Sequence, residues 1–406
     1  MEGEIVSLIK VWLPVFVCLS YCYAISKIVS RGLTRLLCVL PVVFIFLFLP
    51  LNLNSVHLRG TTAFFIAWLG NFKLLLFAFG KGPLCSDSSI SLRRFVAVAC
   101  TPIKISTRLE ETLCAVSRKP IQDEAPYGQN KENPLEKPNS FHRSPPISHL
   151  NGKNKENPAP KKSKERQLLF PLKHAVIGVL LAILIRVYDY SEDIHPKIIL
   201  LLYCFHIYFL LEIILAMVAT LARALLGVEL EPQFNEPYLT TSLQDFWGRR
   251  WNLMVTSILR PTVYNPTRHA ATRFIGRKWA SIAAILATFV VSGFMHELMF
   301  YYLGCMKPTW EVTWFFLLQG LCLAGEIVLK KAVFAAGRWR LPRLISGPLT
   351  LGFVMVTCFW LFFPQFLRCK VDERAFEEYA ALGKFVKNVT RTLTYQFSTF
   401  FGIIAL

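Results

Sequence analysis

His296 stands inside Ala280 to Leu303 (ASIAAILATFVVSGFMHELMFYYL), a run long and apolar enough to cross a bilayer. An ionisable ring at that depth is costly unless it has a partner or a task, and intramembrane ionisable residues are functional sites by default. A neutral imidazole held there can accept a proton from a weak nucleophile such as a hydroxyl. Gly293, one turn earlier, leaves room on the same helix face for a close-approaching substrate or backbone. The alternative is a histidine that only hydrogen-bonds between helices.

The second group is Asp245-Phe246-Trp247-Gly248-Arg249-Arg250-Trp251-Asn252. Trp247 and Trp251 offer flat faces for an adenine ring, and Arg249 and Arg250 offer planar forks for phosphate oxygens. Asn252 adds an amide that can donate to an oxygen on which negative charge develops. An interfacial aromatic belt with positive-inside arginines accounts for the Trp and Arg residues equally well. It does not account for Asn252 upstream of a membrane histidine, nor for the second polar and basic cluster at Asn265 and Arg268 that completes an anion pocket.

These groups need membrane helices to position them. The chain has 406 residues, 54% hydrophobic and 14% aromatic, with a mean hydropathy of +0.43, which excludes an ordinary water-soluble domain. Apolar runs lie at Leu8 to Ile25, Leu36 to Leu51, Thr61 to Gly80, Leu172 to Tyr188, Lys197 to Leu226, Ala280 to Leu303, Trp310 to Leu329, Gly347 to Leu367 and, shorter, Leu393 to Leu406. They predict an all-α polytopic protein of eight or nine spans, because only helices or closed barrels satisfy the backbone in lipid and period-two alternation is absent. Glu2 and Glu4 precede the first run where a signal peptide carries basic residues, so an uncleaved span is expected.

The formal charge of +19 falls in the loops. There it reports orientation and contact with anionic headgroups or co-substrates, not nucleic acid. Basic loops after spans one, three, five and seven place that side in the cytosol and the amino terminus in the lumen. Asn388-Val389-Thr390 then falls as a glycosylation sequon on the lumenal side. Four regions follow: 1–80, three membrane helices; 81–116, a basic interfacial segment; 117–167, a cytosolic insert whose Pro, Asn, Lys, Glu and Ser composition predicts disorder; and 168–406, a catalytic membrane core.

Other polar groups in apolar runs carry weaker expectations. His206 reads as a packing residue, Lys73 as either a buried polar partner or a tunnel wall, and Glu297 as pointing about 100° away from His296 on its helix. The eleven cysteines show no CxxC pair, so neither a zinc site nor a disulfide framework is expected. No GxSxG elbow, Walker loop or HExxH competes for the chemistry.

Phe246 to Asn252, followed by Asn265-Pro266-Thr267-Arg268 and Ser292-Gly293-Phe294-Met295-His296-Glu297, resembles the membrane-bound O-acyltransferase superfamily. Within it, Asn71 to Phe79 with Gly82-Pro83-Leu84 resembles the plant wax synthase family, over most of the chain outside the 117–167 insert. The resemblance implies a lipid-accessible internal tunnel and transfer of an acyl group from acyl-CoA, a co-substrate and not a bound cofactor, to a lipid hydroxyl. It makes Asn252 and His296 the active-site pair, and it implies the endoplasmic reticulum membrane. A long-chain fatty alcohol is the expected acceptor; a sterol or diacylglycerol is the nearest alternative.

The residues support the same chemistry independently. His296 would take the alcohol proton as the oxygen attacks the thioester, and Asn252 would donate to the oxyanion. Trp247, Arg249, Arg250, Trp251, Asn265 and Arg268 would contact acyl-CoA at the cytosolic side. No metal is required, membrane lipids are the surroundings, and a homo-oligomer is compatible with the sequence. A lipid transporter would need charges paired along a pore or inverted repeats, which the two halves do not show; a lipid-binding scaffold leaves the Asn252 and His296 arrangement without a role.

Overall fold

Apolar runs that cannot pair their backbone with lipid satisfy it internally, as helices. The computed structural model describes residues 2–85, 90–101, 161–226, 233–335 and 342–404, and every regular element among them is helical. The chain divides into residues 1–105 with 177–406, which hold both candidate groups, and residues 106–176. The insert expected at 117–167 lies outside the described residues up to 160. From Lys161 the backbone is helical to Val187; the Lys, Glu, Arg, Gln and Leu residues that follow Pro160 are good helix formers, and the helix continues through Pro171.

Helix α1 (Glu2–Ile28) and α2 (Leu33–Phe48) form the first hairpin. Its turn is fixed by Arg35, whose guanidinium donates to the Val29 carbonyl at 2.5 Å and the Ser26 carbonyl at 3.3 Å, satisfying the open end of α1. Next come α3 (Val56–Thr62), a π-helical stretch Ala63–Gly70 and α4 (Asn71–Ala78) as one continuous rod. Then α5 (Leu92–Cys100) ends one residue ahead of Pro102, at Thr101 in extended backbone. Within the segment 81–116 expected to lie at the interface, this helix buries its apolar face, with Phe95, Val98 and Ala99 in the core and Phe95 5.4 Å from Phe77; residues 102–116 lie outside the described residues.

Lys73 explains how α5 is held. Its Nζ is fully buried and donates to the Val98 carbonyl at 2.6 Å and the Thr101 carbonyl at 2.5 Å. These bonds satisfy open carbonyls at the end of a helix, and the buried-partner reading of Lys73 is the one that applies.

The remaining helices are α6 (Lys161–Val187), α7 (Pro196–Leu226), the short α8 (Leu243–Asp245), α9 (Leu253–Leu259), α10 (Asn265–Gly304), α11 (Glu311–Ala335), α12 (Arg343–Leu361), α13 (Phe363–Arg368) and α14 (Val371–Ile404). Among the described residues, seven helices are long and apolar enough to cross a membrane. Two expected spans are not among them. The runs Leu172 to Tyr188 and Leu393 to Leu406 lie on α6 and at the end of α14, where adjoining side chains fall outside the described residues, so the seven do not count them.

Small residues set the closest helix contacts, as they do where backbones pack in lipid. Between α10 and α11, a Cβ built on Gly293 would meet Thr313 Cα at 3.0 Å; on Gly320 it would meet Phe289 Cβ at 2.9 Å. The room predicted at Gly293 is therefore filled by a neighbouring backbone. Helix α10 breaks at Gly276 (φ 75°), a left-handed conformation that glycine adopts without strain, which separates an exposed basic foot from the long apolar part carrying His296.

Candidate active site

His296 takes its orientation from its own helix. Its Nδ1 lies 2.7 Å from the Ser292 carbonyl, four residues earlier. A carbonyl only accepts, so Nδ1 carries the proton, and in the neutral ring Nε2 carries a lone pair. Nε2 has no hydrogen-bond partner among the described residues and is not enclosed. Aromatic side chains surround the ring: Phe316 stacks on it at 4.2 Å and 29°, Trp68 meets it edge-on at 4.9 Å and 82°, and Phe362 lies at 6.2 Å. The ring remains only part-buried. This is an oriented, uncharged base with an accessible acceptor nitrogen in an apolar setting.

Glu297 does face away from that site. Its Oε1 accepts from the Thr313 backbone N–H at 3.1 Å and the Thr313 hydroxyl at 3.3 Å, tying α10 to α11.

The tryptophan motif is not a regular helix. Phe246–Arg250 forms a π-helical turn that ends at Trp251 in extended backbone, and Asn252 follows in the left-handed region (φ 40°), which Asn tolerates better than most residues. The Asn252 Oδ1 accepts from the Val255 N–H at 3.3 Å and caps α9. Capping holds the amide in one orientation and leaves its Nδ2 donors without a partner among the described residues.

The motif is stapled from outside by the segment 233–236. Asn235 N–H donates to the Arg250 carbonyl at 2.9 Å, and Leu253 N–H donates to the Gln233 carbonyl at 2.8 Å. Arg250 completes the staple: its Nε donates to Asp245 at 2.6 Å and its Nη1 to the Asn235 and Glu236 carbonyls at 3.2 and 3.1 Å.

This arrangement redistributes the residues expected to hold acyl-CoA. Trp247 sinks into the core against Phe289, Phe315 and Phe316, and its indole N–H donates to Gln319, which is fully buried. Trp251 stacks on Phe246 at 5.5 Å and 18°. Large aromatic faces find more area to bury inside the protein than at its surface, and Arg250 is taken up by Asp245 and the loop carbonyls. Arg249, Asn265 and Arg268 are exposed and open to a phosphate-bearing ligand.

Asn252 and His296 are joined through packing, without a direct hydrogen bond between them. Phe316 touches both His296 and Trp247, and the Thr256 hydroxyl of α9 donates to the Trp247 carbonyl at 3.4 Å. On the other side, Met254 and Ile258 of α9 pack with Phe65 and Leu69 of the π-helical stretch that carries Trp68. No group of three or more metal-ligating side chains occurs among the described residues.

His206 belongs to a separate polar chain. Its Nε2 lies 3.0 Å from the Tyr379 hydroxyl, which lies 2.9 Å from His57 Nε2, and His57 Nδ1 lies 2.6 Å from Glu378. Glu378 also accepts from Ser55 and from the Val56 N–H. Burial alone would raise its pKa, yet these hydrogen bonds outweigh burial and hold the carboxyl below its ordinary value. Glu326 is structural as well, accepting from the Leu243 N–H at 2.8 Å to cap α8.

Reasoning from sequence missed Trp68 and Phe316. Trp68 is a tryptophan deep inside a run instead of at its edge, where the interfacial belt places most of them. That position was the available signal.

Residues 230–318, which include both Asn252 and His296, match the membrane bound O-acyl transferase family. Over 389 residues, 96% of this chain and 98% of the relative, the sequence is 46% identical to acyl-CoA–sterol O-acyltransferase 1 of Arabidopsis thaliana. It is 42% identical to the long-chain-alcohol O-fatty-acyltransferase of Simmondsia chinensis, covering 95% and 97% of the two chains. It is 40% identical to a probable long-chain-alcohol O-fatty-acyltransferase 3 of Arabidopsis thaliana, covering 96% and 97%.

Proposed function

This chain belongs to the plant wax synthase family of the membrane-bound O-acyltransferase superfamily, and we propose that it transfers a fatty acyl group from acyl-CoA to a long-chain alcohol, forming a wax ester. The observation that carries the reading is the oriented imidazole: Nδ1 bound to the Ser292 carbonyl, Nε2 bare and accessible, in an apolar aromatic setting. Such a nitrogen suits removal of a hydroxyl proton, and an apolar setting suits an alcohol that arrives by burying its chain, at about 0.8 kcal/mol per methylene.

In this reading the hydroxyl oxygen attacks the thioester carbon while its proton passes to His296 Nε2. The Asn252 Nδ2 donors serve the oxygen that gains charge. Collapse breaks the carbon–sulfur bond, and the imidazolium returns the proton to the departing sulfur. Arg249, Asn265 and Arg268 are the proposed contacts for the phosphates of CoA on the cytosolic face, and the endoplasmic reticulum is the proposed membrane.

One observation favours a second reading in which a sterol hydroxyl is the acceptor: the 46% identity to a sterol O-acyltransferase. Both use the same base and the same thioester. Microsomes containing the protein, offered acyl-CoA with hexadecanol, a sterol and diacylglycerol together, distinguish them when products are separated by lipid class. Wax ester as the main product supports the first reading and steryl ester the second; absence of any ester overturns both.

A further inference from the structure

Trp68 lies on the π-helical stretch Ala63–Gly70, twelve residues into a 23-residue candidate span. Single turns of π-helix inside α-helical rods concentrate at functional sites, and this one separates α3 from α4 at the level of His296. The indole meets the imidazole edge-on at 4.9 Å. Its neighbours on the same turn, Phe65 and Leu69, pack against α9, the helix that Asn252 caps. The turn that carries Trp68 therefore touches both His296 and the helix that Asn252 caps.

The indole nitrogen is the anomaly. Trp68 is 3% exposed, and its Nε1–H is buried without any hydrogen-bond partner. Buried Trp N–H groups ordinarily find an acceptor. Trp247, nearby, obeys the rule through Gln319. Packing alone would be served as well by a phenylalanine, which fills such a site without leaving a donor unsatisfied.

We propose that Trp68 is a further catalytic residue of the acyl transfer, its indole N–H donating to the substrate carbonyl oxygen as that oxygen becomes an oxyanion beside His296. This rests on the acyltransferase reading above. As the hydroxyl oxygen bonds to the acyl carbon, the carbonyl π pair moves onto oxygen, where Trp68 and Asn252 both donate; the hydroxyl proton goes to His296 Nε2. When the carbonyl re-forms, the carbon–sulfur bond breaks and the proton passes from the imidazole to sulfur. The donor is enclosed before substrate enters, and the acyl chain that parts the aromatic rings is what brings the oxygen to it.

The test compares full-length protein in microsomes carrying tryptophan, phenylalanine or 3-benzothienylalanine at position 68. The benzothienyl side chain keeps the bicyclic shape and replaces N–H by sulfur. Expected is a drop of about 100-fold in kcat for both substitutions, as for removal of one oxyanion donor, with KM for acyl-CoA little changed and expression equal to wild type. Wild-type kcat with benzothienylalanine overturns the inference, whatever the phenylalanine variant does. A wild-type protein that forms no ester overturns the acyltransferase reading itself, so the two failures are distinct.

Discussion

The ring of Phe316 lies 4.2 Å from His296 on one side and 6.0 Å from Trp247 on the other, so a single phenyl group couples the membrane histidine to the tryptophan motif. Replacing Phe316 by leucine keeps an apolar contact but removes the flat surface that holds the imidazole plane. Misplacement of a catalytic group by about 1 Å is worth roughly 100-fold in rate. We expect Phe316→Leu to lower kcat by about 10- to 100-fold at normal expression, and wild-type kinetics in a microsomal ester assay would show that the stacking does not orient the base.

Asn252 combines two functions that substitution can separate. Alanine loses the cap, about 1 kcal/mol, and keeps a Cβ in left-handed backbone, a cost of roughly 1–2 kcal/mol, without the polar side chain that lets Asn tolerate it. Glycine relieves the strain and weakens the cap by only a few tenths of a kcal/mol. Asn252→Gly is therefore expected to keep the thermal stability of the wild type in detergent while losing about 100- to 1000-fold in kcat. Retained activity in that variant would mean that Asn252 only caps α9.

Close packing of α10 on α11 depends on Gly293. A Cβ there meets Thr313 Cα at 3.0 Å, a backbone atom that cannot move aside alone, whereas a Cβ on Gly325 meets nothing within 4 Å. Gly293→Ala is expected to destabilise by about 1–3 kcal/mol. Gly325→Ala is expected to be neutral or to stabilise by up to about 1 kcal/mol through helix propensity. Melting temperatures followed by fluorescence-detected gel filtration compare them, and equal shifts would exclude the helix contact as the cause.

Acid should loosen the attachment of α14 to the start of α3. Glu378 has a folded-state pKa below its ordinary value of 4.5, so its contribution to stability is fully present above about pH 4.5 and is lost as pH falls through the lower folded value. Glu378→Gln cannot show that loss. The expected result is a wild-type melting temperature that falls more steeply than the variant's below about pH 4.5; parallel curves would show that the hydrogen bonds from His57, Ser55 and Val56 do not stabilise the charged form.

Much of this architecture is legible from sequence because lipid enforces it. Apolar run length identifies the spans, and His296 is visible because an ionisable residue in such a run is rare. What burial alone decides is not legible. Trp247 and Arg250 have the chemistry of ligand-binding residues, yet one fills a core and the other ties down a loop, since the same aromatic face or guanidinium serves either purpose. The left-handed backbone at Asn252 and the π-helical turns at Phe246–Arg250 and Ala63–Gly70 have no distinct sequence signature. Trp68 sits on one of those turns, and its depth inside an apolar run was the signal the sequence offered.

The most direct test is CoA release by wild-type protein and His296→Ala, both in membranes and matched for amount, with acyl-CoA and each lipid alcohol in turn. Acceptor-dependent release by the wild type and none by the variant is the expected result. Release by His296→Ala at the wild-type rate would contradict the role of His296 as the base.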